Sequence, residues 1–133
     1  MIHAFEKIQA IAGAAVGAIG DELTFTFPEV LEVIQLCTKN EIAVLGVEIF
    51  LAKNDGYYYA SGCSDYDLRL ARKWKKLQKG DWGHYVNENN SLAREVVRQN
   101  PTGDDHVYVL TTATWGEHCK LRVRSKLRQQ GRL

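Results

Sequence analysis

An α+β domain with a small antiparallel sheet is the fold class this sequence predicts, and three observations predict it. Apolar residues recur at helical spacing in several stretches. Two β-rich runs meet at Asn54-Asp55-Gly56. A third β-rich run follows a stretch closed by Asn100-Pro101. The expected order is ααββααββ, with about four strands burying one face of the sheet against about four helices.

The first helix is expected over residues 3–18, where Phe5, Ile8, Ile11, Ala12, Ala15 and Ile19 recur at spacings of three and four and Gly20 terminates. A second begins at Thr26-Phe27-Pro28-Glu29. There Thr26 is placed to accept the Glu29 amide, Glu29 to answer back, and Pro28 to sit in the first turn. Val30, Leu31, Ile34 and Cys37 form its apolar stripe, and Lys39-Asn40 ends it.

Residues 41–52 are β-rich, Asn54-Asp55-Gly56 is a turn, and Tyr57, Tyr58 and Tyr59 return as a second strand. Ser64 then reads as the cap of a third helix, with Asp67 in its first turn. That helix carries Leu70, Trp74 and Leu77 on one face and stops at Gly80. Asp81 caps a fourth helix, 82–98, whose stripe of Trp82, Tyr85, Val86, Ala93, Val96 and Val97 is interrupted by Asn89. His106 to Thr114 is a third strand. Cys119, Leu121 and Val123 alternate with cations as a fourth, with a helix over 117–129 as the rival reading.

The chain of 133 residues fits one domain, 1–133, with 129–133 as a frayed tail. No run of eighteen apolar residues occurs, so no membrane insertion is expected. The apolar stretch 8–19 lacks a basic preceding region and a clean small-residue cleavage site, which argues against a secretion signal. Three cysteines without a CxxC read as free thiols, and a cytoplasmic location is expected. The net charge of +1 hides an asymmetry: residues 1–67 sum to −7 and residues 68–133 to +8.

Catalytic and metal signatures are absent from the sequence. It holds no phosphate-binding glycine loop, no GxSxG, no HExxH and no zinc spacing among His3, His84, His106 and His118. Asp55, Asp65 and Asp67 lack the periodic oxygens of a calcium loop. No cofactor, no metal and no catalytic residue is therefore expected. Two features remain as candidates for binding. Glu48 is a lone carboxylate in an apolar strand beside Gly46, and a strand's period of two can turn it away from Val47 and Ile49. Tyr57, Tyr58, Tyr59 and Tyr66 cluster around the hairpin beside acids, a composition common at interfaces. Glu48, Tyr57, Tyr59, Asp65 and Tyr66 are the candidate partner-binding residues.

Three segments carry a resemblance. LGVEIF at 45–50, DGYYYASGCSDYDL at 55–68 and DWGHYVNENNSLAREVV at 81–97 together resemble small α+β immunity proteins of bacterial polymorphic toxin systems, including contact-dependent growth inhibition systems. The resemblance spans residues 28–113. It implies a non-catalytic protein that binds a cognate toxin domain and blocks it, often by covering the toxin's active site. Many immunity proteins against nucleases are acidic overall, and this chain departs from that pattern.

Two alternatives stand beside it. Arg69, Arg72, Lys73, Lys75, Lys76 and Lys79 form a basic run without an acid, which would suit phosphates in a nucleic-acid-binding or regulatory domain. A small enzyme would need Glu48, Asp65, His84 or Cys119 to converge on one pocket.

Overall fold

The computed structural model describes residues 11–121 and Gly131. The described residues form an α+β fold around one antiparallel sheet of five strands in the order β1-β2-β5-β3-β4. The strands are β1 (Gly17–Ile19), β2 (Glu22–Phe25), β3 (Ala43–Lys53), β4 (Gly56–Ser64) and β5 (His106–Ala113). The helices are α1 (Glu29–Lys39), α2 (Leu68–Lys73) and α3 (Trp82–Gln99), with a 3₁₀ turn at Lys79–Asp81. Residues 11–13 and 115–121 are also helical. Among the described residues no helix is long and apolar enough to cross a membrane.

The first departure from the expected order is the β1–β2 hairpin, where a helix through residue 18 is predicted. The part of that helix over 3–10 lies outside the described residues. Gly20 takes φ +60° in the turn, a conformation glycine adopts without steric cost. Val16 donates to Thr24 O at 2.9 Å, and β2 pairs onward with β5 through Thr24–Val109 and Phe25–Tyr108. Long-range pairing of Glu-Leu-Thr-Phe thus outweighs the weak helical preference of a glycine-interrupted stretch.

Helix α1 starts where expected, but its cap differs in detail. The Thr26 hydroxyl donates to the Glu29 carboxylate, and Thr26 O accepts the Val30 amide at 2.9 Å. Val30, Val33, Ile34 and Cys37 are buried against β3 and α3 in the main core, with Val44, Val47, Ile49, Ala93, Val97 and Tyr108.

Helix α2 is shorter than its predicted counterpart. Asp67, not Ser64, is the N-cap: Ser64 ends β4, and the Asp67 carboxylate accepts the Arg69 amide at 2.8 Å. The helix ends at Lys73 rather than Gly80. The chain turns over 74–76 and brings Leu77 into a second core cluster with Ala43, Trp82 and Val86. Burial of Leu77 competes with continuation of the helix and wins.

The C-terminal region reverses the strand reading as far as residue 121. Thr114 and Glu117 form a reciprocal capping box: Glu117 N donates to Thr114 Oγ1 at 3.3 Å, and Thr114 N to Glu117 Oε1 at 3.0 Å. The helix that follows seats Trp115 and His118 on Trp82. The expected strand beyond residue 121 and the frayed tail over 129–130 and 132–133 lie outside the described residues.

Candidate functional site

The site is built by a register change in β3. Val44 pairs with Thr112 and Gly46 with Thr111, so Leu45 is an extra residue and the alternation flips there. Val44 and Val47 consequently both point into the helix-covered core, while Gly46 and Glu48 point to the opposite face.

Helix α3 fixes that irregularity. Asn89 and Asn90, the break in its apolar stripe, are buried at 6% and 0% exposure. Asn90 Oδ1 accepts the Val44 amide at 2.8 Å, and Asn90 Nδ2 donates to Ile42 O at 2.9 Å and to Thr38 Oγ1 at 3.0 Å. Asn89 Nδ2 donates to Val44 O at 2.8 Å. Tyr66 Oη donates to the same carbonyl at 2.7 Å.

Reading the pairings across the sheet gives one row of side chains on the face away from α1 and α3: Gly17, Thr24, Val109, Glu48, Gly62. The two ends of the row are glycines, and each lies against a tyrosine of β4. A Cβ on Gly17 would lie 2.8 Å from Tyr57 Oη, and one on Gly62 would lie 2.8 Å from Tyr59 Oη. In a flat sheet β1 and β4 would be about 19 Å apart, at roughly 4.8 Å per strand, more than a tyrosine spans. The contact of Tyr57 with Gly17 therefore requires the sheet to coil and the β3–β4 tip to fold over its face.

A second bulge supplies the bend. Ile49 pairs with Ser61 and Phe50 with Tyr59, leaving Ala60 over. Tyr59 and Gly62 thus share a face although only Ala60 and Ser61 lie between them, and the Tyr59 ring packs edge-on against Phe50 at 5.7 Å.

Between the tyrosines and the end of β4 lies a trough of about 590 Å³, lined by Gly46, Glu48, Tyr59, Gly62, Ser64, Asp65 and Thr111 among others. Glu48 is half-buried in it, and its Cγ lies 3.4 Å from the Gly62 Cβ position. Among the described residues Glu48 has no ion pair and no hydrogen bond, and no Lys, Arg or His lines the trough.

The five sequence candidates separate into three groups. Glu48, Tyr59 and Asp65 meet at the trough, Tyr57 crosses to Gly17, and Tyr66 is a structural anchor on Val44. Burial pushes the Tyr66 phenol well above the ordinary range. Tyr58 points to the other face, donates to Asp55 Oδ2 at 2.7 Å, and has Lys53 Nζ 5.3 Å from its ring centre.

The alternative assemblies do not form as the sequence suggests. Arg69 pairs with its own helix cap Asp67 at 3.3 Å, holding that carboxyl below the usual range through the Arg69 amide and guanidinium. Lys73 pairs with Glu88 at 2.6 Å. Arg72, Lys75, Lys76 and Lys79 are exposed but spread over a helix, a turn and a 3₁₀ segment, so no single basic helix over 69–79 exists. His84 lines a separate depression with Trp82 and Trp115, and Cys119 lies on the 115–121 helix. These two do not line the trough that holds Glu48 and Asp65. Among the described residues no three His, Cys, Asp or Glu side chains are grouped to hold a metal.

Sequence reasoning misses an aromatic cluster. Trp82, Tyr85 and Trp115 surround His118, with ring centres 5.2, 5.8 and 6.2 Å from the imidazole. Trp82 Nε1 donates to Glu41 O at 2.7 Å, tying α3 to the start of β3. The signal was Thr114-x-x-Glu117, a capping box that would have set Trp115 and His118 on one helical face.

No protein-family model, no curated protein and no solved structure matches this chain.

Proposed function

We propose that this chain is a non-catalytic immunity protein that binds a cognate bacterial toxin domain in the cytoplasm and neutralises it. The observation that carries the reading is the tyrosine strand. Tyr57, Tyr58 and Tyr59 stand consecutively on β4, an edge of the sheet among the described residues, at 40%, 46% and 63% exposure. Large rings on an edge strand offer contact area at low entropic cost, and tyrosine is a frequent centre of interface energy. Glu48 beside them, without an ion pair among the described residues, supplies charge that a partner can complement.

The test is protection and complex formation. The chain is expected to rescue growth of cells expressing a toxin domain encoded immediately upstream of it, and to form a one-to-one complex with that domain. The double variant Tyr57→Ala, Tyr59→Ala should keep its fold and lose about a hundredfold in affinity, since two truncated interface tyrosines cost roughly 3 kcal/mol. A chain that neither protects nor binds overturns the reading.

A further inference from the structure

Among the described residues no positive charge lines the trough at Glu48. We propose that it receives one arginine side chain from the protein partner, the guanidinium meeting the Glu48 carboxylate and lying against the Tyr59 ring. This rests on the reading of the chain as a protein-binding module.

Four features of the molecule converge on it. First, a half-buried carboxylate is stabilised by a cation, and Glu48 has none among the described residues. Second, two of its neighbours on its own face carry no side chain: Gly46 precedes it by two on β3, and Gly62 is its partner on β4. A Cβ at Gly62 would lie 2.8 Å from Tyr59 Oη and 3.4 Å from Glu48 Cγ, so glycine there is what lets the Tyr59 tip and Glu48 border one space. Third, the walls are acidic or neutral. Among the described residues lining the trough Asp65 is the only other carboxyl group, and it adds attraction for a cation. Fourth, Tyr59 is largely exposed, with its hydroxyl over Gly62, so its ring borders the same space.

Arginine fits this geometry better than lysine. A guanidinium is planar, pairs with a carboxylate through two parallel N–H donors and stacks on an aromatic face, whereas an ammonium is a compact, strongly hydrated charge. The Ser64 and Thr111 hydroxyls at the rim offer further acceptors for its five N–H groups. A divalent metal is a poorer match, because the trough supplies two carboxylates and hard cations gather six or more oxygens.

The test uses the full chain, labelled with ¹⁵N, and three blocked amino acids as probes: N-acetyl-arginine, N-acetyl-lysine and N-acetyl-citrulline methylamides. Citrulline keeps the shape of arginine without its charge. The arginine probe should shift the Gly46, Glu48 and Gly62 amides saturably, with citrulline at least about tenfold weaker and lysine intermediate. Glu48→Gln should abolish the effect, and its own spectrum reports whether it is folded. Gly62→Val, which must displace the Tyr59 hydroxyl 2.8 Å from its Cβ position while leaving the carboxylate, should weaken the arginine probe by about tenfold as an independent check. Equal shifts from arginine and citrulline, shifts mapping elsewhere, no shifts, or full binding to Glu48→Gln would each overturn the proposal. A toxin domain that binds wild type and Glu48→Gln equally would remove the arginine anchor and leave the immunity reading standing. Absence of any toxin complex would remove that reading whatever the probe does.

Discussion

Asn90 and Val44 are joined across the core: the Asn90 side-chain carbonyl accepts the Val44 amide at 2.8 Å, one residue before the bulge that turns Glu48 to the open face. The same asparagine satisfies Ile42 O through its amide group. A bulged strand leaves backbone groups without their ladder partners, and burial makes each such group costly.

Asn90→Ala is therefore expected to cost about 3 kcal/mol, because it removes the partners of a buried amide and a part-buried carbonyl together. Urea unfolding of the variant checks this. A loss below about 0.5 kcal/mol would mean that the asparagine ladder does not hold the bulge.

The contact between Gly17 and Tyr57 predicts a measurable coupling. Gly17→Ala places a methyl 2.8 Å from Tyr57 Oη and 3.1 Å from Thr24 Oγ1. The tyrosine tip can yield, so the cost should be about 1 kcal/mol, and most of it should vanish in a Tyr57→Phe background. A double-mutant cycle with additive effects would show that the hydroxyl does not rest on Gly17.

The thiols should divide by burial. Cys37 is 1% exposed, while Cys63 and Cys119 are half-buried. In native protein Cys63 and Cys119 should react with a thiol reagent well before Cys37. Burial pushes the Cys37 thiol up from 9.0 to about 11. Its neutral form is favoured in the folded state, so its stabilising effect is complete below pH 9. As pH rises from about 9 towards 11 the unfolded chain ionises first, and stability falls by about 1 kcal/mol between pH 9 and 10. Cys37→Ala should flatten that slope, whatever it does to baseline stability. An unchanged slope in pH-dependent denaturation would contradict the assignment.

The cations of 69–79 should matter little to stability. Lys73 and Glu88 pair at 2.6 Å, yet their side chains are 58% and 39% exposed, and such pairs contribute roughly 0–1 kcal/mol. Lys73→Ala should shift stability by less than about 0.5 kcal/mol, and the shift should shrink in high salt. A larger, salt-independent loss would indicate packing by the lysine stem.

Much of the fold was legible in the sequence because local chemistry and tertiary context agreed there. The α1 stripe, the Asn54-Asp55 turn, the long α3 helix and β5 all follow from periodicity and turn residues. The glycine-interrupted stretch through residue 18 reads as helix because the pairing of β2 with β5, Thr24 with Val109 and Phe25 with Tyr108, joins residues more than eighty positions apart in sequence and is invisible to local spacing. Spacing predicts helix α2 too long because the pull of Leu77 toward Trp82 and Val86 is a tertiary contact.

For the candidate site, residue types alone marked Glu48 as a carboxylate in an apolar strand and Tyr57, Tyr58 and Tyr59 as an aromatic strand after a turn. Tertiary structure decided which of them meet. The bulge at Leu45 set the face of Glu48, the bulge at Ala60 brought Tyr59 over Gly62, and the coil of the sheet carried Tyr57 to Gly17. Side-chain alternation is local and can be read along a chain, whereas a bulge is set by the hydrogen bonds of a neighbouring strand or helix, here Asn89 and Asn90 on α3, and only the packed molecule brings those groups together.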